Sequence, residues 1–140
     1  MAEKKKEWKM PKIEHGKLTE WNWLVHYPEK FFLGKNTDIG AFTFIDAIEG
    51  VKIEDNVMVG GGCLIYSYSA SDGKRGRIVL KKGCKIGANT VILPNVTVGE
   101  NAFVGACSLV NSDIPENAIA FGCPAKVRKK AGKKEADVSE

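Results

Sequence analysis

Residues 86 to 106 read IGANTVILPNVTVGENAFVGA, with Ile86, Ile92, Val98 and Val104 six residues apart. A helix buries a face every 3.6 residues and a strand every 2, so this period belongs to neither. Extended outward, it places Leu33, Ile39 and Ile45 in one register and, after a two-residue slip, Ile53, Val59 and Ile65 in a second. A longer break precedes a third, which runs from Leu80 through Ile86, Ile92, Val98 and Val104 to Val110. Four positions after these aliphatics stand small or branched residues, among them Thr37, Thr43, Cys63, Ser69, Cys84, Thr90 and Ala102, with Glu49 the clear exception. Three positions after them Asn or Gly recurs, as Asn36, Asn56, Gly62, Gly83, Asn89, Asn95 and Asn101, residue types that tolerate positive φ at a tight corner. Each hexad is therefore a short strand plus a turn. Stacked turns of this kind form a parallel β-helix, in which each coil buries its aliphatic row against its neighbours. A ladder of antiparallel hairpins would alternate with period 2 between loops of variable length.

Composition narrows the setting. The chain has 140 residues, 44% of them hydrophobic, and a net charge of +4. That suits one domain whose core is marginal if the molecule is elongated and alone, so self-association is expected. No apolar run approaches the roughly 18 residues of a membrane span, and the lysine-rich start MAEKKKEWKM is not followed by a signal-peptide stretch. The expectation is a cytoplasmic protein without a membrane partner. Much of the positive charge lies at the two ends, in AEKKKEWK and KVRKKAGKKE, which reads as solvated tails and not as a nucleic-acid surface. Cys63, Cys84, Cys107 and Cys123 have neither C-x-x-C spacing nor nearby histidines, so no metal site is expected. Cys63 and Cys84 fall in the inward column, where packing is their role, and Cys107 falls at a corner. Trp21, Trp23, Phe31 and Phe32 precede the repeat and are expected to close its open end.

The stretch IGANTVILPNVTVGENAFVGACSLVNSDIPENAIAFGCPAKV resembles the last coils and terminal signature of the hexapeptide-repeat acyltransferases, over roughly Leu33 to Arg128. The resemblance implies an all-β, left-handed parallel β-helix of about four coils, with one protruding loop and a short irregular C-terminal segment. The implied organisation is an N-terminal tail and cap over 1–32, the β-helix over 33–115 with its loop at 69–79, a coenzyme-binding segment over 116–128 and a flexible tail over 129–140. A homotrimer with active sites between subunits is also implied, with acetyl-coenzyme A as cosubstrate along the later coils. By motif, Ala88 and Ala106 match small positions lining the pantetheine arm, Asn111 matches the family's threonine before D-I-P, and Ser112 is a departure at a coenzyme-binding position where many members carry lysine. Lys126, Arg128 and Lys129 would supply cations for the coenzyme phosphates.

Catalysis departs from the family pattern. Transfer to a hydroxyl needs a general base, normally a histidine after the second coil. Here that region reads IYSYSASDGKRGRIVL and contains none; the chain's two histidines are His15 and His26. His26 is a candidate replacement base. Asp46 stands where related sugar acetyltransferases place an acceptor-binding asparagine, so Asp46 and Asp72 are candidates for orienting or deprotonating an acceptor. Glu49, Tyr68, Lys74 and Arg75 are candidate substrate-binding residues in or near the loop, which suits an anionic, nucleotide-linked substrate. The expected activity is acyl transfer to a sugar, by N-acetylation of a nucleotide-linked amino sugar. Alternatives are an O-acetyltransferase using His26 and a catalytically degenerate trimeric β-helix. A carbonic anhydrase of this fold needs three zinc-binding histidines and is excluded.

Overall fold

The computed structural model describes residues 7–130, apart from the side chain of residue 130. No α-helix occurs among them, only a short 3-10 turn at Pro28–Lys30. Strands follow one another in threes, one triplet per coil. The first coil carries β1 (Leu24–His26), β2 (Phe31–Leu33) and β3 (Asp38–Ile39); the second β4 (Phe44–Asp46), β5 (Val51–Ile53) and β6 (Met58–Val59). The third carries β7 (Leu64–Tyr66), β8 (Ile78–Leu80) and β9 (Lys85–Ile86); the fourth β10 (Val91–Ile92), β11 (Thr97–Val98) and β12 (Phe103–Val104). A partial fifth coil holds β13 (Leu109–Val110) and β14 (Ala118–Gly122), and β15 (Ala125–Lys130) folds back antiparallel on β14. Equivalent strands of successive coils pair in parallel, giving three sheets: β1-β4-β7-β10-β13, β2-β5-β8-β11 and β3-β6-β9-β12-β14 with β15 at its edge. This is a left-handed parallel β-helix.

The hexad explains the build. Ile45, Ile53, Ile65, Leu80, Ile92, Val98 and Val104 all point inward with no exposed surface, and Cys63, Cys84 and Thr90 fill the column between them. Asn36, Asn56, Asn89, Asn95, Asn101, Gly62 and Gly83 all have positive φ, so the corners fall where the sequence places them. Phe42 and Cys107 occupy the same left-handed region at φ 66 and 61, where a bulky or non-polar L-residue is uncommon.

Two readings of the interior are corrected. Glu49 does not interrupt the inward column, because Ala47 fills it and Glu49 stays on the outside. Ser67 likewise takes the buried place expected for Ser69. The reason is where the extra residues are spent. The early coils insert theirs directly after the strand of the first sheet, so the chain turns inward sooner than the hexad count assumes.

The coil also starts ahead of the aliphatic repeat, since β1 lies within residues 1–32 and β2 begins there, and β8 begins at Ile78, which leaves the loop between Ser67 and Arg77. Lys129 and Lys130, the first residues of the tail expected over 129–140, sit in β15, while the rest of it, 131–140, lies outside the described residues. At the open end Trp23 is 2% exposed and meets Phe31 edge-on at 6.4 Å, and the Trp8 indole N–H donates to the Thr37 carbonyl at 2.8 Å. Trp21 and Phe32 remain more than half exposed and do not serve as a lid.

Candidate functional site

Three features of the surface gather the candidate residues. The first is a polar row on the outside of the first sheet. Register places His26 beside Asp46 and Asp46 beside Tyr66, at the ends of β1, β4 and β7. The His26 ring is held between His15, stacked at 4.6 Å, and Phe44, edge-on at 4.8 Å, and Phe44 in turn meets Tyr66 at 5.7 Å. His15 Nδ1 accepts the Tyr27 backbone N–H at 2.9 Å, so a neutral His15 carries its proton on Nε2. Asp46 Oδ1 accepts the N–H of Ile48 at 3.2 Å. Neither His15 nor Tyr66 stands out in the hexad pattern. The signal that finds Tyr66 is the equal spacing of positions 26, 46 and 66, the length of the two early coils.

The second feature is the loop. Tyr68 and Arg75 bridge its base, Arg75 lies over the Tyr68 ring at 4.7 Å, and its Nε donates to Glu49 at 3.1 Å. Beneath them the buried Ser67 hydroxyl donates to the Asp46 carbonyl at 2.7 Å and accepts the N–H of Glu49 at 2.9 Å. Glu49, Tyr68 and Arg75 thus meet one another at the base of the loop. Asp72 and Lys74 sit at the tip, where the Lys74 N–H donates to Asp72 at 3.1 Å. That bond, with the Ser69 side chain, holds the Asp72 carboxyl below its usual range, which suits an anchor better than a proton acceptor.

The third feature runs along the corner between the third sheet and the first. Ala41, Gly61, Ala88 and Ala106 stack there, one per coil, tied by backbone hydrogen bonds from Gly62 to Ala41, Asn89 to Gly61 and Cys107 to Ala88. A Cβ at Gly40, Gly60 or Gly87 would strike the backbone of Gly61, Ala88 or Ala106, so the coils approach here as closely as backbones can. Ala88 and Ala106 are exposed. The result is a strip almost free of side chains, able to take an extended, amide-bearing ligand along the helix axis. Beyond its last coil lie the exposed Asn111 and Ser112, and β15 with exposed Lys126 and Arg128. Arg128 packs over the Phe121 ring at 4.8 Å and donates to the Phe121 carbonyl at 3.3 Å. The cysteines add no nucleophile inside the coil. Burial pushes the Cys63 thiol up, and burial with the Glu54 charge pushes Cys84 up to about 12.

Residues 77–112 match the bacterial transferase hexapeptide family, described as six repeats. Over those residues the chain carries the transferase hexapeptide repeat. It is 32% identical over 115 residues to the galactoside O-acetyltransferase of Lactococcus lactis, covering 71% of this chain and 55% of that protein. Over a shorter span of 53 residues it is 51% identical to the dTDP-3-amino-3,6-dideoxy-alpha-D-galactopyranose 3-N-acetyltransferase of Aneurinibacillus thermoaerophilus, covering 38% of this chain and 28% of that one. Among solved structures it is similar to a hexapeptide-repeat acetyltransferase from Vibrio cholerae complexed with acetyl coenzyme A, with a TM-score of 0.75 at 25% identity, over 79% of this chain and 66% of that one. The chain thus spans about half the length, or less, of these two enzymes. Among the described residues no group of His, Cys, Asp and Glu could hold a metal, and no helix is long and apolar enough to cross a membrane.

Proposed function

We propose that this chain transfers the acetyl group of acetyl-coenzyme A to the amine of a nucleotide-linked amino sugar. The observation that carries the reading is the strip of Ala41, Gly61, Ala88 and Ala106, which leads from the basic β15 towards the early coils. Its residues fit the cosubstrate: a pantetheine arm needs close backbone approach, and Lys126, Arg128 and Lys129 offer charge to its phosphates. When bound, the thioester supplies an activated acyl carbon.

The preference for an amine follows from the residues that are missing. A hydroxyl acceptor without a positioned base forfeits a factor of roughly 10² to 10⁴. An amine has a neutral fraction at ordinary pH and attacks through its own lone pair; the C–N bond forms, the C–S bond breaks, and the surplus amine proton goes to the departing thiolate. Asp46, flanked by His26 and Tyr66, would orient the amine, and backbone N–H groups would polarise the carbonyl. Lys74 at the loop tip would face the nucleotide's phosphates. His26, held between two rings, would shape the wall of this subsite.

Assembly belongs to the same proposal. Leu24, Phe44, Leu64, Val91 and Leu109 form one outward column across all five strands of the first sheet. A lone chain has little to cover such a row with, and a homotrimer would bury it and place the polar row beside a neighbour's strip. Four free thiols suit a cytoplasmic setting.

Calorimetry with coenzyme A tests the cosubstrate. Ala106→Trp should abolish binding without disturbing the fold, since the side chain is exposed. Replacing Lys126, Arg128 and Lys129 by glutamine should weaken binding, most at low salt. Unchanged affinity in both variants would refute the placement.

A further inference from the structure

At the amino-terminal end of the helix, beneath residues 7–11, lies an open cavity of about 1040 Å³. Its walls are Trp8, Trp21, Trp23, Leu33 and Ile39, where the inward aliphatic row runs out. We infer that this cavity receives the acyl chain of the thioester, and that the chain accepts acyl groups several carbons longer than acetyl. The inference rests on the coenzyme reading above and extends it.

Continuity with the strip comes first. Ala41 lines the cavity and is also the first member of the corner column that ends at Ala106. At about 4.8 Å per coil, Ala106 and Ala41 lie about 14 Å apart along the axis. A thioester whose phosphates sit near β15 and whose arm follows the column therefore points its acyl end at the cavity mouth.

The chemistry of the walls favours an aliphatic occupant over a nucleobase. Polar groups of the lining that could have met a ligand are in part engaged: the Thr37 carbonyl accepts the Trp8 indole N–H at 2.8 Å, and the Thr37 hydroxyl donates to the Gly34 carbonyl at 3.4 Å. Against Leu33, Ile39 and the faces of the tryptophans a heteroaromatic ring would find few partners for its polar atoms, whereas a hydrocarbon chain needs none. Charged side chains, Glu7, Lys9, Glu20 and Asp38, are all exposed and form the rim. Two large apolar side chains at the same place, Trp21 at 55% and Met10 at 54% exposure, stand more than half in solvent. An acyl chain lying against them would cover both.

Calorimetric titration of the full chain with coenzyme A, acetyl-coenzyme A and hexanoyl-coenzyme A tests this. Burying each further methylene strengthens binding several-fold, so even a partly buried hexanoyl chain should bind at least about tenfold tighter than acetyl. Trp21→Ala and Met10→Ser, both at exposed positions, should each shrink that preference and together remove most of it, with affinity for coenzyme A itself unchanged. Equal affinity for the two thioesters overturns the inference and leaves the coenzyme reading standing. A hexanoyl preference that survives both substitutions overturns the location. Failure of all three ligands to bind overturns the coenzyme reading itself.

Discussion

Cys84 lies inside the coil with none of its surface exposed, and its thiol is pushed up to about 12 from an ordinary value of 9.0, by desolvation first and the Glu54 charge second. Because the folded state holds this proton more tightly than the unfolded chain, its contribution to stability is intact below pH 9 and is lost as the pH rises towards 12. Between those limits the wild type should lose about 1.4 kcal/mol per pH unit from this group alone. Urea melts of wild type and Cys84→Ala across that range should therefore converge as the pH rises; parallel curves would contradict the assignment. Residue identity made some of this site legible and some not. Asn36, Asn56, Asn89, Asn95 and Asn101 announce their corners because few other side chains accept positive φ. Phe42 and Cys107 adopt the same conformation without any such signature, since the coil's geometry imposes it on whatever residue arrives there. His26 could be named from the sequence as the histidine nearest the repeat, but not its clasp. The stacking on His15 depends on an N-terminal segment that has no periodicity to read.

At the scale of elements, the strands were legible wherever the period of six held, and the interior failed to follow it only where the coils depart from that period. Ala47 and Ser67 are buried in place of Glu49 and Ser69 because the inserted residues follow the strand directly, and a period alone cannot say on which side of a corner an insertion falls. The loop that results is held by the Arg75 to Glu49 ion pair, the Tyr68 ring and the Ser67 hydroxyl. The ion pair is half-exposed and stabilises by no more than about 1 kcal/mol. Arg75→Ala should therefore leave the melting temperature within a few degrees of wild type. It should nonetheless open the loop's base, seen as faster proteolysis between Ser67 and Arg77 and, if Lys74 at the tip contacts the acceptor, as a raised KM with little change in kcat. Ser67→Ala, which strands the Glu49 N–H while the Asp46 carbonyl keeps the Ser67 backbone N–H at 3.0 Å, should cost about 1 to 3 kcal/mol, measured by chemical denaturation.

For the molecule as a whole, the repeat displayed the coil and its interior but not its outer faces, because outward positions carry no period that a core must respect. Only register reveals that Leu24, Phe44, Leu64, Val91 and Leu109 form one column. Phe44→Glu should leave the coil folded and convert a trimer to a monomer by light scattering at micromolar concentration; a wild-type monomer would contradict the assembly and any site shared between subunits. The central claim, acyl transfer to an amine, is tested most directly by following thiol release from acetyl-coenzyme A with a nucleotide-linked amino sugar and with its hydroxyl counterpart, each with wild type and His26→Ala. The account predicts release with the amine alone, an N-acetylated product, and a loss of no more than a few-fold in His26→Ala. Efficient O-acetylation of the hydroxyl sugar, abolished by His26→Ala, would contradict it.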